Sequence, residues 1–413
     1  MHKIENLINT LCPNGVEYKP IGEIFEIRNG YTPSKANPDF WENGTIPWFR
    51  MEDIRENGRI LEDSIQHITE KAIKGKGLFK ANSIILSTTA TIGEHALILK
   101  DSLANQQLSN FSIIEKFADR LLPKFVFYYF FKIKEWCLNN VNASSFPSVD
   151  MAQLRKVSFP IPPLEVQKEI IIILNAFKEL TAELTAELTA RKKQYEYYRH
   201  TLLDFGTPDN PKNGAKFKSI SSFASCVSGA TPSTSVGKYW ENGTIPWLSS
   251  GEVNHRKIAK TEKYITQEGY QSASTKMLPK DSVVIALAGQ GKTRGLVAIT
   301  KIELCTNQSV CGIMTNEEVN STYLYHYLTN CYANLRHISS NDGGRGGLTL
   351  TMIREYRVPI PPLEVQEKIV KILDKFESLT HDLQEGLPAE IQARTKQYEY
   401  YRNQLLTFKK LES

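Results

Sequence analysis

The chain contains itself twice. The octapeptide WENGTIPW fills Trp41–Trp48 and returns, letter for letter, at Trp240–Trp247, while PIPPLEVQ fills Pro160–Gln167 and returns at Pro359–Gln366. Both pairs lie 199 residues apart. Weaker matches keep that offset: Asn14-Gly15 with Asn213-Gly214, Gly30, Thr32 and Pro33 with Gly229, Thr231 and Pro232, and Leu154-Arg155 with Ile353-Arg354. Two identical octamers in one register identify a duplication, so the fold must be one unit built twice. With 413 residues, each copy has chain enough for its own core.

Between these anchors the copies diverge. The first reads ILSTTATIGEHALI from Ile85 and the second VIALAGQGKTRGLVAI from Val284. The Asn-Gln pair moves to Asn105-Gln106 and Asn307-Gln308, an offset of 202, before the register returns to 199. A shared scaffold with private loops suits two binding modules of similar shape and different specificity, because loops carry function.

Each PIPPLEVQ leads into a long helical pattern. The prolines demand an extended entry, and Glu165 or Glu364 then suits the positive end of a helix. Ile170, Leu174, Phe177, Thr181, Leu184, Leu188, Arg191, Tyr195, Tyr198 and Leu202 follow alternating four- and three-residue steps, which predicts a coiled-coil seam. As a helix, Leu164 to Phe205 would span about 60 Å. The second copy repeats the pattern from Ile369, Leu373 and Phe376 to Tyr398, Tyr401 and Leu405, but KQYEYYR starts at Lys193 and at Lys396, an offset of 203. The four added residues stand where the first copy reads TAELTAELTA (Thr181–Ala190) and the second THDLQEGLPAEIQA (Thr380–Ala393). Four residues keep a helix nearly in phase and lengthen it by about 6 Å. Gly386 and Pro388 predict a kink in the second helix.

The duplication is also circular. YYRHTLLDF and a Pro/Asn/Gly linker precede the second copy, and YYRNQLLTFKK ends the chain. Termini that meet would place the last helix before the first copy and give a pseudo-two-fold ring.

Composition excludes some classes. No C-x-x-C pair exists among Cys12, Cys137, Cys226, Cys305, Cys311 and Cys331, which argues against zinc ribbons and dithiol chemistry and suits a reducing cytoplasm. No metal site is expected. The segment MHKIENLINTLCPNG lacks signal-peptide character, and no apolar run is long enough to span a membrane. A formal charge of +5 permits nucleic-acid binding without demanding it.

The tandem layout, G-x-T-P-S with W-E-N-G-x-I-P-W in each copy, and P-I-P-P-L-E-x-Q opening each long helix resemble the specificity subunit of a Type I restriction–modification enzyme. The resemblance covers essentially the whole chain. It implies a mixed α/β (α+β) fold with two pseudo-symmetric target recognition domains separated by two long antiparallel coiled-coil helices. On this reading residues 1–158 and 206–357 are the recognition domains, and 159–205 and 358–413 the helical spacers. It further implies a non-catalytic chain reading one half of a split double-stranded DNA site per domain. Two modification (methyltransferase) subunits would be recruited, and restriction (translocase/nuclease) subunits would join. The chain itself would bind no cofactor. The complex would use S-adenosylmethionine for adenine methylation and ATP with Mg2+ for restriction. TAEL-type repeats resemble a ruler for the spacer between half-sites.

Candidate DNA contacts follow. Gly30–Ser34 and Gly229–Ser233 form small-residue loops whose amides and hydroxyls could hold phosphates, offering Tyr31, Thr32, Ser34, Thr231 and Ser233; a purely structural turn is equally compatible. Arg28, Lys35 and Arg50 are basic positions of the first copy, Thr89 and Ser249 polar ones, although such groups are more often ordinary surface residues. Gln290, Lys292, Thr293 and Arg294 belong to GQGKT-R, which lacks the first glycine of a phosphate-binding P-loop because residue 286 is Ala286. Arg and Lys there suit guanine and phosphate. Arg345 lies in SNDGGRGG. The four tryptophans are expected to pack around an Asn-Gly turn rather than to touch bases. Pro162-Pro163 and Pro361-Pro362 follow Ile and so are not the N/D-P-P-Y/F motif of a methyltransferase. The remaining alternative is a duplicated protein–protein scaffold without DNA contact.

Overall fold

The structure, a computed structural model, describes residues 2–142, 147–289, 292–339, 347–381 and 386–411. The chain divides into two compact units, residues 1–184 with 391–413, and residues 185–390.

The first unit is built on a five-stranded sheet in the order Phe25–Asn29, Leu108–Ile113, Ser83–Ser87, His95–Ile98, Ile60–Leu61. The second repeats it strand for strand as Ala224–Ser228, Val310–Thr315, Val283–Ala286, Val297–Thr300, Lys257–Ile258. In both, the last strand pairs parallel and the others antiparallel. The central strands are buried on both faces, so they read as continuous aliphatic runs rather than alternating ones. Along Ile84-Ile85-Leu86, the outer two side chains join a core with helix Pro123–Asn139 and the start of the long helix. Ile85 points the other way, into a second core. That second core is closed by a three-stranded sheet, His67–Ile68, Ile46–Phe49 and Leu103–Ala104, whose counterpart is Lys263–Ile265, Ile245–Leu248 and Cys305–Thr306.

WENGTIPW builds this second layer. Its turn places Asn43 and Asn242 in the left-handed region at φ 57° and 58°, which Asn tolerates. Trp41 meets Trp48 edge-on with ring centroids 5.0 Å apart, and Trp240 meets Trp247 at 5.1 Å. Trp48 and Trp247 are buried, as expected for packing residues.

PIPPLEVQ explains itself equally well. Ser158–Ile161 is a strand paired with Glu17–Pro20, and Arg357–Pro359 pairs with Phe217–Ser219. The closing glutamine is fully buried. Gln167 accepts from the Leu122 amide at 2.8 Å and donates to the Arg120 and Pro162 carbonyls, each at 2.7 Å. Gln366 rebuilds the set with Asn320, Glu318 and Pro361. Each glutamine thus ties the aromatic or tyrosine-rich helix to the long helix. Replacing Gln167 by Leu orphans three buried backbone groups. It is expected to cost unit one roughly 2–4 kcal/mol, measured by chemical denaturation, and to leave unit two unchanged.

The predicted seam is present. Leu164–Leu202 is one helix of 39 residues. Ile170, Leu174 and Tyr195 are buried, and Phe177, Thr181, Leu184, Leu188, Arg191 and Leu202 half-buried, while Tyr198 is 37% exposed. In unit one Phe177 stacks on Tyr401 at 5.5 Å. In unit two Phe376 stacks on Tyr198 at 5.3 Å and His381 meets Tyr195 at 5.7 Å. The two Phe–Tyr stacks are the same contact with the two helices exchanging roles, and the order of the two contacts in unit two makes its helix pair antiparallel. The second helix is interrupted: Leu363–His381 ends before a bend at Gly386, and Leu387–Leu405 resumes with Pro388 in its first turn.

The termini meet, as the circular pattern requires. Val16 donates to the Lys409 carbonyl and accepts from the Leu411 amide, both at 2.8 Å, and Phe408 packs against Phe125. All six cysteines are free, and no described helix is long and apolar enough to cross a membrane.

Candidate nucleic-acid interface

Three loops converge at one end of each five-stranded sheet: the G-x-T-P-S loop, the Asn-Gln loop, and the divergent loop. In unit one the Tyr31 amide donates to Ala104 at 2.8 Å, Thr88 to Gln107 at 3.1 Å and Val149 to Thr88 at 2.9 Å. In unit two Ala230 donates to Thr306 at 3.0 Å, Leu287 to Ser309 at 2.8 Å and Leu348 to Leu287 at 2.9 Å. Gly30 and Gly229 are required by close approach: a methyl at either would collide with backbone of the Asn-Gln loop. The tryptophans hold the loop from beneath. Trp48 and Trp41 donate their indole N–H to the Tyr31 and Ser34 carbonyls at 3.0 Å, and Trp247 and Trp240 to Ala230 and Ser233 at 3.0 and 3.1 Å.

The divergent loop carries the register shift. It comprises residues 88–94 in the first unit and the longer 287–296 in the second. The register returns through the short helix Glu115–Ala118, where residues 316–320 run without a helix. The strand Val283–Ala286 leads to the strand Val297–Thr300, not to the helix of a P-loop.

The candidate contacts separate into two groups. Arg28 is committed to the fold, donating to Gly77 at 2.5 Å and Leu78 at 3.1 Å and lying over Phe79. Tyr31 donates to Ala72 at 3.0 Å and accepts from the Lys74 amide at 2.8 Å. Arg50 pairs with Glu52 at 2.6 Å, and Ser249 caps a short helix through Glu252 at 2.7 Å. Thr89 is half-buried and bridges to Ser148. The others lie at the loop surface: Thr32, Ser34, Lys35, Thr231, Ser233 and Lys292 are exposed, Thr293 and Arg294 half-buried. The Lys292 carbonyl accepts from Tyr332 at 2.7 Å. Gln290 and Arg345 lie outside the described residues. Two residues that sequence marks only as part of the Asn-Gln repeat, not as candidate contacts, join this surface: Gln106 accepts the Thr32 hydroxyl at 2.5 Å, and Gln308 that of Thr231 at 2.6 Å.

Where each globular part docks on its helices, the two units invert charge. In unit one Lys178 lies over Phe127 at 4.7 Å, and Arg59 with Lys134 pairs with Glu94. In unit two the aligned position is Glu377, 4% exposed, hydrogen-bonded to Tyr325 and facing Lys257 at 3.3 Å and Arg256 at 3.5 Å. Burial alone would raise the Glu377 carboxyl, but His326, Tyr325, Lys257 and Arg256 together hold it below its usual value. Glu377, Asp374 and His326 place donor atoms within 4.8 Å of one another. Lys257 and Arg256 already neutralise these carboxylates, so the cluster is an ion-pair network. Burial, then Arg59, Lys124 and Arg402, pull Lys178 down to about 8. Its folded value is below that of a free lysine, so the unfolded chain binds more protons from about pH 8 to 10.5. Lys178 therefore contributes a rise in the stability of unit one with pH across that window, opposed by the buried Cys12 and Cys137 thiols, which burial pushes up. Lys178→Met should lose this contribution: its midpoint at pH 7 should not fall below the parent's, and any advantage over the parent should shrink as pH rises from about 8 to 10.5, read by thermal denaturation.

The family described as Type I restriction modification DNA specificity domain matches residues 13–191 and again 212–393. The chain belongs to that family. Its two matched domains are DNA target-recognition domains, and the subunit is a non-catalytic component of its enzyme. It is 39% identical over 388 residues, 90% of each chain, to the Type I restriction enzyme EcoprrI specificity subunit of Escherichia coli. It is 36% identical over 267 residues, 63% of this chain and 65% of the other, to the EcoR124I/EcoR124II specificity subunit of that organism. The fold matches the HsdS subunit from Thermoanaerobacter tengcongensis with a TM-score of 0.55 at 15% identity, covering 96% of each chain. It also matches a chain from a structure of type I R-M system assembly and conformational transition, with a TM-score of 0.67 at 17% identity, covering 95% and 98%.

Proposed function

We propose that each target-recognition domain of this specificity subunit reads one half of a bipartite duplex site through the three loops at the end of its five-stranded sheet. One observation supports this most: the same two loops are anchored by the same bonds in both units, while the third differs in length and charge between them. Constant loops fix position on the duplex and the divergent loop supplies sequence choice. Lys292 suits a phosphate, and Thr293 and Arg294 suit base edges in the major groove. Lys35 adds a phosphate contact in the first domain.

The antiparallel helices hold the domains at a set separation and seat two adenine-modification subunits, with restriction subunits joining the same assembly. This chain carries no cofactor in that scheme. S-adenosylmethionine serves the modification subunits, and ATP with Mg2+ the restriction subunits. Adenine must leave the duplex to be methylated, so recognition and chemistry need a fixed register.

Grafting residues 88–94 in place of 287–296 tests the division of labour. Methylation mapping of cells carrying the graft and the modification subunit is expected to show an altered second half-site and an unchanged first one. An unchanged pair of half-sites would contradict it.

A further inference from the structure

We infer that Gln106 and Gln308 are paired DNA-backbone grips, each aimed by a threonine, and that neither reads sequence. This rests on the target-recognition domains meeting DNA at this end of the sheet. The bond from Thr32 to Gln106 joins residues 74 apart, and the one from Thr231 to Gln308 joins residues 77 apart. The divergent loop falls between each pair, so the same contact is rebuilt across a three-residue insertion. Both glutamines are exposed, which gives burial no reason to keep the contact.

In both units Oε1 takes the threonine hydroxyl. That choice orients the amide and leaves the two Nε2 hydrogens directed elsewhere. A glutamine that reads adenine uses Oε1 to accept from N6 while Nε2 donates to N7. Here one lone pair of Oε1 is taken and both Nε2 hydrogens remain, so the group offers more donors than acceptors. A phosphate oxygen is the acceptor that every half-site offers regardless of sequence. The contact is constant between domains whose adjacent loops differ, as a sequence-blind contact should be. The platform is stiff: two indole N–H groups and one close-packed glycine fix each threonine loop.

The test uses the full chain assembled with its modification subunits, binding duplexes with the cognate site, with one half-site scrambled, and with no site. Gln106→Ala and Gln308→Ala are each expected to weaken all three duplexes by a similar factor, about three- to tenfold, the size of one hydrogen bond. The methylated motif stays the same. The salt dependence keeps its slope, because a neutral donor releases no counterion. Gln106→Glu keeps an acceptor for Thr32 but sets a negative charge against the phosphate, and a larger loss is expected. Thermal unfolding of each variant should match the parent, separating a lost contact from a lost fold. A changed base preference with intact binding to the site-free duplex would overturn the inference, as would Gln106→Glu binding like the parent. If the loop graft re-specifies one half-site while these variants do nothing, only the grip fails. If the parent methylates no bipartite motif, the broader reading fails first.

Discussion

Removing Thr185–Leu188, one TAEL unit, is expected to end methylation at the parental site and to create it at a site whose spacer is shorter by one or two base pairs. The deletion shortens the helix Leu164–Leu202 by four residues, about 6 Å, against 3.4 Å of rise per base pair. Folding should survive. Four residues are close to one turn, so only Leu188 of the half-buried seam is lost, and Arg191 and Tyr195 beyond it keep nearly the same phase relative to Thr181 and Leu184. The residual mismatch is about 40° of helical rotation. A site held out of register by even one base pair loses the contacts of a whole half-site. Methylation at the old spacing should therefore fall by at least about a hundredfold, at roughly 1–3 kcal/mol per mismatched pair. Genome-wide methylation mapping of parent and deletion strains reads both changes at once. An unchanged spacer would refute the ruler role of this helix.

Exchanging the inverted charges is expected to destabilise unit two and not unit one. Glu377→Lys sets a third cation beside Arg256 and Lys257 at a site that is 4% exposed, and removes the partner of the Tyr325 hydroxyl. Breaking a buried ion pair leaves uncompensated charge and costs roughly 3–5 kcal/mol. The partly exposed cations, which water can reach, hold the loss to that range. Lys178→Glu does the reverse in unit one, placing a carboxylate near Arg59, Lys124 and Arg402. It should be neutral or stabilising. Denaturant titration, with tryptophan emission reporting each unit, checks both. Equal losses in the two variants would show that these positions act through shape rather than charge. Neither substitution touches the loops, so the methylated motif should be unchanged wherever the protein folds.

Much of this architecture is legible in sequence because the duplication repeats its own constraints. A fully buried glutamine at the same place in two copies, Gln167 and Gln366, marks a position that both cores need. The paired tryptophans mark a packed turn, although sequence does not disclose that their indole N–H groups hold the neighbouring loop. The seam from Ile170 to Leu202 is legible because helical periodicity is a local property. The circular join between Val16 and Lys409–Leu411 follows from matching what precedes each copy.

The rest depends on groups brought together from afar. Arg28 reads as a surface cation, yet Gly77 and Leu78 claim its guanidinium through a turn about 50 residues away. The charge inversion at Lys178 and Glu377 is plain in an alignment of the copies. Its meaning needs Arg256 and Lys257, more than 100 residues distant, which only tertiary structure places there. Gln106 and Gln308 stand within the visible Asn-Gln repeat, but their significance lies in the threonines they accept from.

The proposal that the two target-recognition domains read separate half-sites has a direct test. Modification-sensitive sequencing of a genome exposed to this subunit and its modification partner tests it most directly. A single methylated motif of two specific halves around a non-specific spacer of constant length, with a modified adenine in each half, is expected. No methylated motif, or a continuous one that neither a loop graft nor a TAEL deletion alters, would contradict it.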